Sequence, residues 1–135
     1  YFRIGDIADI RITGLADTTY LDKVGEPTRR TQDGAVTCSG EVDRVYVDTE
    51  ADCVIDDPRL GRRIRVAKTG SRATVVWTPW QEKAEKMADF GPGRANQGGW
   101  REMVCVESGN ALENGVSIAP GGVHVMAVRY SVERA

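Results

Sequence analysis

Histidine occurs once in this 135-residue chain, cysteine three times, and aromatic residues make up only 7% of it. Each scarcity removes a class of function. One imidazole cannot build a multi-histidine metal centre, and Cys38, Cys53 and Cys105 match no zinc spacing. Their odd number, in a chain too large to need covalent staples, reads as reduced thiols of a cytoplasmic protein. A basic excess is missing too. Eighteen Lys+Arg against twenty Asp+Glu leave a net charge of −2, which argues against a nucleic-acid binder. No apolar run approaches the roughly 20 residues of a membrane-spanning helix. Neither a G-x-S-x-G nucleophile turn nor a phosphate-cradling glycine loop is present. With 41% hydrophobic residues, the composition describes a single globular domain over 1–135 with one core. The chain opens on Tyr1-Phe2-Arg3-Ile4 with no initiator Met or leader-like segment, which reads as a processed chain or a piece of something longer.

What the sequence does have is period-two patterning. Ile10 and Ile12 alternate with Arg11 and Thr13 until Gly14 stops the run. Val45–Val47, Cys53–Ile55, Ile64–Val66, Ala73–Trp77, Met103–Glu107, Val116–Ile118 and Val123–Val132 repeat the theme between Gly, Pro and Asp turns. Such short β-branched runs predict an all-β, antiparallel sandwich. One segment departs from it. Thr78-Pro79-Trp80-Gln81 has the form of a capping box, and Trp80, Ala84 and Met87 recur at helical spacing. A short helix is expected near residues 80–89, followed by a mobile loop over Gly91–Gly99.

Few side chains are candidates for chemistry. His124 lies between two valines and reads as a satisfied or surface imidazole. Glu107 should share a strand face with Met103 and Cys105, while Val104 and Val106 point the other way. Apolar neighbours disfavour a carboxylate's charged form and suit a base near neutral pH, although a solvated strand-end glutamate is the commoner case. Asp43 could accept hydrogen bonds from sugar hydroxyls, or pair weakly with a nearby arginine. Arg62, Arg63, Arg65 and Lys68 read as the wet face of one strand. Trp77 and Trp80 could wall a sugar site, with core anchoring the more common use.

Several stretches, in order along nearly the whole chain, resemble the C-terminal half of hexose-6-phosphate mutarotases (glucose-6-phosphate 1-epimerases) of the aldose 1-epimerase superfamily. They are Tyr1-Phe2 with Asp6-Ile7, Gly14-Leu15 with Tyr20-Leu21-Asp22-Lys23, Glu41-Val42-Asp43-Arg44-Val45-Tyr46, Arg63-Ile64, Val75-Val76-Trp77-Thr78-Pro79-Trp80, Met103-Val104-Cys105-Val106-Glu107 with Asn110-Ala111, and Pro120-Gly121. The resemblance implies part of an antiparallel supersandwich and acid–base interconversion of the anomers of glucose 6-phosphate or a related hexose phosphate. It assigns the catalytic base to Glu107 and a sugar-binding role to Asp43, and it requires no cofactor and no metal. The family's acid histidine lies in a His-x-Tyr-Phe stretch, so it is expected two residues before Tyr1. This chain alone should therefore be inactive, with the missing N-terminal half or a second copy of the chain as its expected partner and no nucleic acid or membrane involved. Thr78 stands where the family usually has Asn. A non-catalytic carbohydrate-binding sandwich and a structural half-domain are the alternative readings of the same strands.

Overall fold

The computed structural model, which describes residues 1–87 and 99–135, has ten strands in two antiparallel sheets, seven of them grown from the period-two runs. In chain order they are β1 (Phe2–Arg3), β2 (Arg11–Thr13), β3 (Thr19–Asp22), β4 (Thr28–Thr31) and β5 (Val42–Tyr46), then β6 (Cys53–Asp57), β7 (Arg62–Thr69), β8 (Ala73–Thr78), β9 (Met103–Gly109) and β10 (Ala127–Arg134). One sheet has the order β1-β9-β8-β5-β3-β4 and the other β10-β7-β6-β2. Alternating side chains close the core between them. Val42, Tyr46, Val76, Val104 and Val106 from the first sheet meet Ile12, Ile55, Ile64 and Val66 from the second. Gly14 ends β2 as expected, because its φ of +98° favours glycine and a Cβ there would collide with the Asp52 carbonyl.

On one side the core is uncovered. Along the row Ile12–Ile55–Ile64–Val132, exposure runs 0%, 0%, 4% and then 62%. Val132 and Tyr130 point inward by register, yet the facing sheet ends there in the two-residue β1. Tyr130 meets Phe2 edge to face, with ring centres 5.4 Å apart.

Several expectations change in the structure. Val116–Ile118 forms no strand and lies exposed, and the last strand begins at Ala127 rather than Val123. Three short strands, β1, β3 and β4, escaped the pattern because their residues alternate weakly and β4 (Thr-Arg-Arg-Thr) is exposed throughout. The capping box does not form. Thr78 is the buried last residue of β8, and the helix α1 (Trp80–Ala84) starts two residues later without a side-chain cap. The Trp80 backbone, at φ +56°, makes the turn between strand and helix, which carries the Thr78 hydroxyl away from the helix amides. The helix ends at Ala84, with 85–87 already outside it, so it is shorter than expected. Residues 88–98, which hold the rest of the expected helix and most of the Gly91–Gly99 loop, lie outside the described residues.

The basic cluster divides as well. Arg62, Arg63 and Arg65 pair with Asp57, Asp56 and Asp52. Lys68, however, points inward and is buried. Its ammonium donates to the Thr49 and Ala73 carbonyls at 2.9 Å and to the Thr74 hydroxyl at 2.8 Å. Three acceptors replace the water it lost. All three cysteines are free and buried, and burial pushes the Cys38 and Cys53 thiols up to about 11.

Near the chain start, Asp6 ties the loop after β1 to the segment before β9. Its carboxylate accepts from the Ala8 amide at 3.0 Å and from Arg101 at 2.8 Å, and it lies 3.2 Å from the Arg59 guanidinium as an ion pair. Burial works to raise its pKa, but these donors outweigh it and the net shift is downward. A folded value below the unfolded one means stability that is present above about pH 4 and lost as pH falls through the folded value. Asp6→Asn should therefore flatten the acid limb of a Tm–pH profile measured by circular dichroism. Superimposable acid limbs in the two proteins would contradict this account.

Candidate active site

The face of the six-stranded sheet turned away from the core carries the two carboxylates singled out from the sequence. Antiparallel register sets Asp43 opposite Trp77 and Trp77 opposite Cys105. The next row is Val45–Val75–Glu107. Paired residues share a face and alternate residues return to it, so all six side chains project to the same side. Val45 and Cys105 are buried yet stand outside the main core cluster, as expected of residues on the second face. From strand spacing and rise, the Asp43 and Glu107 Cα atoms lie on a diagonal of roughly 12 Å. Trp77 stands half-buried between them.

The Glu107 side chain is exposed and makes no hydrogen bond or ion pair among the described residues. It lines a cleft of about 690 Å³ together with Tyr1, Phe2, Cys105, Ser108 and Tyr130. The cleft follows the free edge of β9, which pairs with β1 only at Met103 and Val104. Burial pushes the Cys105 thiol up, and the nearby Glu107 charge adds to the shift.

Asp43 sits within β5 rather than before it, and its partner is a lysine, not the arginine expected from the sequence. Lys23 continues the β3–β5 ladder through its amide, which donates to the Asp43 carbonyl at 2.8 Å. Its ammonium lies 3.2 Å from both Asp43 carboxylate oxygens. The sequence pattern did not join these two residues, which are 20 positions apart.

The tryptophans have separate jobs. Trp80 packs on the buried Trp100 with ring centres 4.9 Å apart, whereas Trp77 faces the carboxylates. His124 is not in a strand. Its Nε2 lies 2.8 Å from the Gly70 carbonyl and 3.2 Å from the Asn110 amide, so it fastens a turn. Among the described residues no group of three His, Cys, Asp or Glu is placed to hold a metal ion, and no helix is long and apolar enough to cross a membrane. Chemically, the face offers an unpaired carboxylate at a cleft, a second carboxylate held by an ammonium, and an aromatic surface between them. That set can take a proton from one part of a polyhydroxylated ring while binding another part.

Comparison with known proteins fits this set. A family profile described as Aldose 1-epimerase matches residues 1–131. A "Putative glucose-6-phosphate 1-epimerase" of Cenchrus ciliaris is 35% identical over 122 residues, covering 90% of this chain and 35% of that protein. The protein of the same description from Salmonella typhimurium is 35% identical over 109 residues, covering 80% of this chain and 35% of its own length. A crystal structure of a "putative mutarotase" from Salmonella typhimurium superposes with a TM-score of 0.76 at 25% identity, covering 98% of this chain and 43% of that one. The chain thus spans about 35% of the length of these curated relatives.

Proposed function

This chain belongs to the aldose 1-epimerase family, and from that membership we propose that it supplies the base and a sugar-binding carboxylate of a hexose-6-phosphate 1-epimerase. The observation that carries the reading is the placement of Glu107 and Asp43 on one open sheet face, with Trp77 between them. Glu107 takes the proton of the anomeric hydroxyl while an acid protonates the ring oxygen. The C1–O5 bond breaks to give the open-chain aldehyde, rotation about C1–C2 turns the carbonyl over, and the two groups reverse roles as the ring closes. Only protons move, so the reaction calls for no redox or metal cofactor. Asp43 accepts hydrogen bonds from other hydroxyls and fixes the ring against the aromatic face of Trp77.

The register of β1 supports an acid from upstream. Phe2 pairs with Val104 and Arg3 with Met103. Continuing this antiparallel ladder puts the position two residues before Tyr1 directly opposite Glu107, on the same face. That is where the family resemblance expects its histidine. The rest of a family-length protein would also cover the inward-facing Val132 and Tyr130, which are exposed here. Buried, reduced cysteines fit a cytoplasmic setting.

Polarimetry of freshly dissolved α-glucose 6-phosphate tests the proposal. The 135-residue chain should leave the rate at its buffer value, and the chain joined to the upstream two thirds of a relative should accelerate it. Acceleration by the chain alone would overturn the upstream acid. No acceleration by the joined protein would overturn the epimerase reading.

A further inference from the structure

We infer that Lys23 is a positioning residue of the sugar site, acting by holding the Asp43 carboxylate in one orientation for hydroxyl donors. The inference rests on the sugar-binding reading of Asp43 and adds a residue to which that reading gives no role. Lys23 is the direct cross-strand neighbour of Asp43, with its amide on the Asp43 carbonyl at 2.8 Å and its ammonium 3.2 Å from each carboxylate oxygen. A carboxylate has about four lone-pair sites. Accepting one ammonium with both oxygens uses one site on each and leaves one on each for a ligand. No other side chain among the described residues donates to Asp43. Without Lys23 the carboxylate would be free to rotate about its χ angles, and every binding event would have to order it.

The pair makes a poor stability device. Lys23 is about half exposed while the Asp43 side chain is only 16% exposed, and with water reaching the ammonium the pair adds only modestly to folding. Its worth, then, lies in what it does to the carboxylate. Lys23 also stands on the far side of Asp43 from Trp77 and Glu107, so it is remote from the reacting carbon.

A double-mutant cycle in the joined, family-length protein tests this, with polarimetric kinetics on glucose 6-phosphate and on glucose. Lys23→Met should raise KM about fivefold or more while kcat stays within about twofold, by a similar factor for both sugars. Lys23→Arg should recover most of the loss. Adding Lys23→Met to Asp43→Asn should cost nothing further, since the lysine acts only through the aspartate. In the 135-residue chain itself, the Asp43 carboxyl 13C resonance should move in Lys23→Met and stay near its native position in Lys23→Arg. An unchanged KM, an effect confined to the phosphorylated sugar, full multiplication of the two single-mutant effects, or an unmoved resonance would each overturn the inference. If Asp43→Asn raises KM and Lys23→Met does not, the role of Lys23 alone is lost. If Asp43→Asn leaves KM unchanged, the sugar-binding reading of Asp43 is lost with it.

Discussion

Glu107→Gln in the joined protein is expected to cut turnover by roughly 10² to 10⁴, the usual contribution of a general base. The two side chains have nearly the same shape, but the amide cannot take up the hydroxyl proton. The Glu107 side chain is exposed and makes no hydrogen bond or ion pair among the described residues, so the substitution breaks no side-chain polar contact. The variant should keep its Tm to within about 2 °C, as surface changes of this kind usually do. Substrate binding should also persist, because the protein atoms around the ring are unchanged. A fall in kcat with KM nearly constant is the signature of an interaction made in the transition state. If turnover drops less than about tenfold, Glu107 is not the base. If turnover and Tm fall together, position 107 is a structural one.

Asp57→Ala should have the largest effect on stability. The Asp57 side chain is fully buried at the end of β6, and three donors converge on it. One oxygen accepts from the Gly5 amide at 3.1 Å and from the Leu60 amide at 3.3 Å, and the other takes Arg62 Nε at 3.4 Å. Arg62 in turn donates to the Arg3 carbonyl, so one carboxylate joins β1, the loop after it, β6 and β7. Alanine removes the cap of the helical turn Pro58–Leu60, strands the Gly5 amide and leaves a half-buried guanidinium unpaired. Lost caps cost about 1 kcal/mol, and breaking a buried ion pair costs more than its formation returned. The sum is a loss of roughly 2–4 kcal/mol in urea unfolding, or a Tm lower by about 6–15 °C. Asp57→Asn keeps an acceptor for the amides and should lose about half as much. A change below about 1 kcal/mol in the alanine variant would mean that water replaces the carboxylate.

How much could be read in advance differs from residue to residue. The face assignment of β9 was legible, since Val104 and Val106 enter the core while Met103, Cys105 and Glu107 share the other side. Period two is a local property, and a strand with one buried face, such as β9, displays it whatever lies next to it. The helix after β8 and its start at Trp80 were legible, but its cap and its end at Ala84 were not. The cap pattern at Thr78 is local chemistry too, yet the sheet took Thr78 for its own ladder, opposite Val42, and overrode it. Lys68 was misplaced for a similar reason. Nothing in Arg-Val-Ala-Lys-Thr announces that two carbonyls and a hydroxyl from β8 and a distant turn await the ammonium. The resemblance brought Glu107 and Asp43 forward as residues but was silent on Lys23 as a partner of Asp43.

By itself, then, the sequence determined the strand-rich class, the alternation of the longer strands and the membership of the family, because these depend on short-range periodicity and on motifs. The tertiary structure alone decided which strands are neighbours and in what register. From that came the shared face of Asp43, Trp77 and Glu107, the clamp from Lys23, and the uncovered row ending at Val132. Pairing between distant segments follows from the burial and hydrogen bonding of the whole sheet, and no window of consecutive residues contains that information.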